Sequence, residues 1–141
     1  MILYAESSAV LAWLLGEADG SAVRALLSQA RVIFASRLTL VECERALARL
    51  QAGGVLSGSD TATLRETLNH AASHWLRYEI SPSVLARSGQ PFPVEPIRTL
   101  DAIHLATAME LRSAESRLEL VTLDSRIRSN AARLGLRVWP S

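Results

Sequence analysis

The stretch Leu118-Glu-Leu-Val-Thr-Leu-Asp-Ser-Arg-Ile127 decides the fold. A short apolar run, Leu118 to Leu123, reads as a buried strand, and Asp124 follows it at once as a helix N-cap. The chain opens with the same grammar. Ile2, Leu3 and Tyr4 form a strand, Glu6 ends it, and Ser7 or Ser8 caps a helix through Val10, Leu11, Leu14 and Leu15 that Gly16 stops. A strand that hands over to a helix at an acidic residue, twice in one chain, predicts acids gathered where strands end.

Between these ends, strand and helix alternate. Residues 21 to 29 make a helical pattern and Val32 to Ala35 a strand. Thr39 and Glu42 have the spacing of a capping box, ahead of a helix that Gly53 and Gly54 terminate. Ser57 opens a helix through Leu64, Leu68 and Ala72, Trp75 to Ile80 is a short strand, and Ser81-Pro82 starts another helix. Gly89 to Pro96 is a loop, Thr99 caps an apolar helix through Leu111, the last helix stops near Gly135, and Leu136 to Trp139 closes the chain as a strand. The expected fold class is α/β, one domain over residues 1–141 with a central, mainly parallel twisted sheet flanked by helices.

Composition narrows the chemistry. The 141 residues carry a net charge of +1, too small to attract a polyanion except through a local patch. All 15 basic residues are arginine, which removes lysine Schiff bases and lysine phosphate clamps. One cysteine, Cys43, leaves no intramolecular disulfide and no multi-cysteine zinc site, which suits a reducing, cytoplasmic compartment. The apolar run Ala9 to Leu15 is too short to span a membrane and has no basic leader.

Glu6, Glu42, Asp101 and Asp124 each lie at a strand end or in the first turn of a helix, positions that converge on the crevice outside the carboxyl ends of an open α/β sheet. Each also has a local explanation as a cap or dipole partner. Asp101 and Asp124 sit in apolar surroundings, however, and a buried carboxylate is costly unless paired or metal-bound. Together the acids point to a divalent cation, and helix N-termini around the same crevice suit phosphate. His104, one turn after Asp101, is expected as a satisfied near-core histidine, with lining the pocket or donating a hydrogen bond there as the alternative. Cys43, between Glu42 and Glu44, is expected as packing, and His70 with His74 as surface residues.

The segments Tyr4-Ala-Glu-Ser-Ser-Ala9, Leu38-Thr-Leu-Val-Glu-Cys-Glu-Arg-Ala46, Arg98-Thr-Leu-Asp-Ala-Ile-His-Leu-Ala-Thr-Ala108 and Val121-Thr-Leu-Asp-Ser-Arg126 resemble the ordered motifs of PIN-domain nucleases, specifically the VapC-type toxins of toxin–antitoxin pairs. The resemblance implies a Mg²⁺- or Mn²⁺-dependent endoribonuclease, homodimeric, held inactive by a cognate antitoxin and leaving a 5′-phosphate and a 3′-hydroxyl. By motif position Glu6, Glu42, Asp101 and Asp124 are its catalytic acids. Glu6, Asp101 and Asp124 hold metal, with Glu42 binding through water or orienting the nucleophile, and Ser8 and Thr122 support them. Arg37, Arg45, Arg98, Arg126 and Arg128 are candidates for RNA contacts.

The family generally has Asp where this chain has Glu6, one methylene longer. A misplacement of about 1 Å costs on the order of 10²-fold in rate. The alternative expectation is therefore a catalytically impaired module of the same fold that binds RNA or antitoxin without efficient turnover. A receiver domain would need a lysine in its site, and a dinucleotide-binding domain a G-x-G-x-x-G after the first strand; neither is present. Helices flanked by Trp13 and Trp75 could offer a groove for a partner helix or for self-association.

Overall fold

The computed structural model describes residues 1–141. In chain order the elements are β1 (Ile2–Ala5), α1 (Ser7–Leu15), α2 (Gly20–Gln29), β2 (Val32–Ser36), α3 (Arg37–Ala52), α4 (Gly58–Ala72), β3 (Leu76–Tyr78), α5 (Pro82–Ser88), α6 (Thr99–Ala114), β4 (Leu118–Val121), α7 (Ser125–Arg133) and β5 (Val138–Trp139). The five strands form one sheet in the order β3-β2-β1-β4-β5, and every pairing is parallel. The mainly parallel sheet expected from the alternation is thus wholly parallel.

Strand β1 is central, and all four of its residues are buried. Alternation divides it between the two faces. Ile2 and Tyr4 pack with Leu105, Leu120 and Ile127 under α6 and α7. Leu3 and Ala5 face the other way, Leu3 against Ala9 and Val23, Ala5 against Val10, Cys43 and Leu68. After β1 the chain builds β2 and β3 on one side, and later β4 and β5 on the other. The crevice outside the carboxyl ends of β1 and β4 is therefore the topological switch point, where open parallel sheets bind ligands.

Several helix starts differ from the local reading. Helix α3 begins at Arg37, because β2 runs straight into it and Ser36 caps it, accepting from Leu38 N–H at 3.0 Å. Thr39, already inside the helix and buried, donates to the Ala5 carbonyl at 3.1 Å, so no Thr39–Glu42 capping box exists and Glu42 is released from that duty. The capping box in the fold is at Ser57 and Asp60. Helix α1 is capped by Glu6, not by Ser7 or Ser8, and α6 starts after Arg98, which gives no side-chain cap, with Thr99 one residue inside. β4 stops at Val121 and β5 keeps only Val138–Trp139 of the expected Leu136–Trp139.

Helix α2 crosses α1 through Gly20, where a Cβ would come within 2.4 Å of the Ala12 carbonyl oxygen. Gly20→Ala is expected to destabilise the fold by about 1–3 kcal/mol in a denaturant titration, the usual cost of overpacking against backbone. Gly58→Ala, whose Cβ would meet only Gln51 at 3.5 Å, should stay within about 0.5 kcal/mol of the parent.

Candidate metal centre and active site

Glu6 leaves β1 in extended conformation and its carboxylate folds back over the N-terminus of α1, accepting from Ser8 N–H at 3.1 Å. The residue is only 3% exposed. Oε1 accepts from the Ser7 hydroxyl at 2.7 Å, while Oε2 also accepts from the Ser8 hydroxyl and from Thr122 at 2.7 Å. Burial of a carboxylate is tolerable only with such donors, and the start of α1 adds its dipole. Ser8 Oγ in turn accepts from Leu123 N–H at 2.9 Å, and Thr122 Oγ1 from Asp124 N–H at 3.1 Å. Each hydroxyl accepts a hydrogen bond from a backbone N–H of the turn after β4 and donates its own to Glu6, which ties the two central strand ends together.

Glu42, on α3, reaches the same place from the other side. Its Oε1 accepts from His104 Nε2 at 2.5 Å and lies 3.2 Å from Ser7 Oγ. Its Oε2 makes no hydrogen bond within the protein, and the side chain is 24% exposed. His104 is buried on α6, its Nδ1 2.7 Å from the hydroxyl of fully buried Tyr4. One ligand-type atom each from Glu6, Glu42 and His104 lies within 4.8 Å of the others.

Asp101 and Asp124 complete the acidic wall from helix starts. Asp101 lies in the first turn of α6, 3.7 Å from the largely exposed Arg98 guanidinium, and its Oδ2 is buried without a hydrogen-bond partner. Burial, then the negative charge of Asp124, hold the Asp101 carboxyl above the usual carboxylate range; Glu6 adds to this while Arg98 and His104 oppose it. Asp124 caps α7, its Oδ1 accepting from Arg126 and Ile127 N–H at 2.9 Å each. Its Oδ2 makes no bond within the protein.

The leftover oxygens suit a hard divalent cation, although Asp101 and Asp124 lie outside the 4.8 Å group formed by Glu6, Glu42 and His104. Oxygens on Glu42, Asp101 and Asp124 are left over after every internal hydrogen bond is made, and the arginine paired with this group is Arg98, 3.7 Å from Asp101. Carboxylate oxygens suit Mg²⁺ or Mn²⁺. A cleft of about 590 Å³ beside them is lined by Glu42, Ile97, Arg98, Thr99, Leu100 and Asp101. A cavity of similar size under α5 and α6 contains one acid, Glu95, whose oxygens already accept from Phe92 and Ile97 N–H, so it offers no comparable chemistry.

The five arginines separate into two groups. Arg37 pairs with Glu79 at 2.7 Å, and Arg128 donates to the Thr122 and Pro140 carbonyls, so both are committed within the protein. Arg45 and Arg126 are exposed and make no side-chain bond, and Arg98 flanks Asp101. Cys43 is packed in the core, where burial and the charges of Glu6 and Glu42 push its thiol far up. His70, on α4, and His74, in the turn that follows it, are exposed and belong to no cluster of three metal-ligand side chains. Trp13 and Trp75 line one groove with Leu27, Ile33 and Arg31.

Two residues of the site, Tyr4 and Ser7, have no local sequence context that marks them as functional. Tyr4 is two residues before Glu6 on an alternating strand, hence on the same face, and that spacing is the available signal. His104 is buried and satisfied as expected, and it also makes the alternative contact, a hydrogen bond to an acid of the crevice.

Comparison with known proteins agrees with this arrangement. Ribonuclease VapC46 of Mycobacterium tuberculosis (strain ATCC 25618 / H37Rv) is 34% identical over 136 residues, covering 96% of this chain and 95% of the relative. The crystal structure of Mycobacterium tuberculosis VapC20, a Sarcin-Ricin loop cleaving toxin, superposes with a TM-score of 0.66 at 11% identity, covering 90% of this chain and 93% of that one. A toxin–antitoxin complex from Klebsiella pneumoniae gives 0.59 at 20% identity, covering 94% and 91%. The family model of the PIN domain matches residues 3–133, and the chain belongs to that family.

Proposed function

We propose that this protein is a divalent-metal-dependent endoribonuclease that acts as the toxin of a toxin–antitoxin pair. The observation that carries the reading is the buried Oδ2 of Asp101, without a hydrogen-bond partner, in a crevice shared with Glu6, Glu42 and Asp124. The ribonuclease relatives and the toxin–antitoxin fold neighbour support the same reading. Free oxygens of Asp101, Asp124 and Glu42, with Glu6 Oε1 behind them, would hold the ion, as Mg²⁺ or Mn²⁺. When bound, it supplies charge neutralisation at the phosphate and lowers the pKa of an attacking water.

The chain's own residues do the rest. Helix α6 has no side-chain cap, so the N–H groups of its first turn are available to a phosphate entering the cleft. Arg98, Arg45 and Arg126 are the arginines free to meet the RNA backbone. Glu42 Oε2 orients the water, and Glu6 holds the two turns in register. An antitoxin, a homodimeric state and a cytoplasmic location complete the proposal, and no helix is long and apolar enough to cross a membrane.

The binding-only reading rests on Glu6 being too long. The hydroxyl shell argues against it, since Ser7, Ser8 and Thr122 all close on a glutamate carboxylate. The parent protein is therefore expected to cut RNA in Mn²⁺, and Glu6→Asp to be slower and about 1–3 kcal/mol less stable, because a shorter carboxylate leaves buried donors unmet. RNA cut only by the Asp variant would establish the binding module instead.

Asp101→Asn is expected to abolish metal-dependent cleavage while leaving the circular dichroism spectrum unchanged. Because the folded-state pKa of Asp101 is raised, its ionisation costs stability as pH rises above the ordinary carboxylate value. In chelator at neutral pH, the Asp101→Asn variant should therefore melt no lower than the parent, and only the parent should gain Tm on adding Mn²⁺. By the same sign, the parent's Mn²⁺ affinity should begin to fall on acidification at a higher pH than an ordinary aspartate would set, as protons compete for Asp101.

A further inference from the structure

His104 joins the core to the cleft. Its ring is 1% exposed, with Tyr4 Oη at 2.7 Å from Nδ1 on the sheet side and Glu42 Oε1 at 2.5 Å from Nε2 on the crevice side. Tyr4 is wholly buried, and desolvation with the nearby Glu6 charge holds its phenol well above the usual range, so the hydroxyl keeps its proton. An ionised Glu42 can only accept, so Nε2 carries a hydrogen, and in the neutral ring Nδ1 accepts from Tyr4. The ring is fixed at both ends.

We propose that His104 is a positioning residue for Glu42: with its ring set by Tyr4, it turns Oε1 inward and presents Oε2 to the crevice. This rests on the nuclease reading above, in which Glu42 orients the water. Nothing else holds Glu42 firmly. Ser7 Oγ is 3.2 Å from Oε1 but 2.7 Å from Glu6, and its single proton goes to the nearer oxygen. Without His104, a long and flexible side chain on α3 would sample many rotamers around the water it must aim. A histidine that served packing alone would have no need of an acid of the cleft as its partner.

The test pairs His104→Leu, which fills the space without a donor, with His104→Gln, whose amide nitrogen can replace Nε2–H. Cleavage of a fluorophore-quenched RNA oligonucleotide in Mn²⁺ is expected to show kcat lower by about 10²-fold in the Leu variant with KM little changed, the scale of a misplaced group. The Gln variant should recover much of that loss at a similar Tm. Unchanged kcat in the Leu variant, or equal loss in both variants at matched Tm, would overturn the proposal. If His104→Leu does not fold, the ¹⁵N spectrum of the parent's histidines decides. A protonated Nε2 whose resonance moves in Glu42→Ala supports it, and a ring protonated only at Nδ1, or indifferent to Glu42→Ala, overturns it. That signature intact alongside uncut RNA would defeat the nuclease reading while supporting the contact.

Discussion

The structure depends on keeping a buried carboxylate, that of Glu6, charged at the carboxyl end of the central strand. Two carboxylates about 4 Å apart repel by roughly 4 kcal/mol at an effective dielectric of 20, and desolvation costs several kcal/mol more. Hydrogen bonds to a charged group return about 1.5–3 kcal/mol each. Four donors on Glu6, three hydroxyls and one amide, therefore hold one acid in place. They leave nothing over for Asp101, whose raised pKa and solitary oxygen record the unmet part. The remaining negative charge is what a cation would find.

The same hydroxyls explain how an open sheet keeps its ends aligned. β1 and β4 are paired over four residues, Ile2↔Leu118 to Ala5↔Val121, and then diverge. Beyond that point the Ser8 and Thr122 side chains continue the connection, replacing backbone ladder bonds with hydroxyl bridges. Glu6 is both the reason the bridges are needed and the acceptor that orients them. Its extra methylene is absorbed by folding back onto its own helix.

Most of the architecture was legible because strand, acid and helix follow one another without long loops. Leu118 to Asp124 and Ile2 to Glu6 showed where the crevice would lie, and parallel pairing followed from the alternation. What misled was local hydrogen-bond grammar. Thr39 and Glu42 have capping-box spacing, but Ser36 at the strand end had already capped the helix, and tertiary partners, the Ala5 carbonyl and His104, took both side chains. The Tyr4–His104–Glu42 connection joins residues up to 100 positions apart, and no local periodicity carries it. The arginines show the same limit: Arg128 looks like Arg126 in sequence, yet one is spent on carbonyls and the other is free.

The strand order has a bearing on synthesis. β4 pairs with β1 from more than a hundred residues further along the chain, and brings Thr122 and Asp124 with it. A growing chain that has not yet emerged past residue 124 has Glu6 without its last hydroxyl and the acidic ring without its final member. The acidic cluster is thus complete only when residues far apart in the chain have met, so a fragment that stops short of Thr122 can hold neither the Thr122 bridge to Glu6 nor the Asp124 carboxylate.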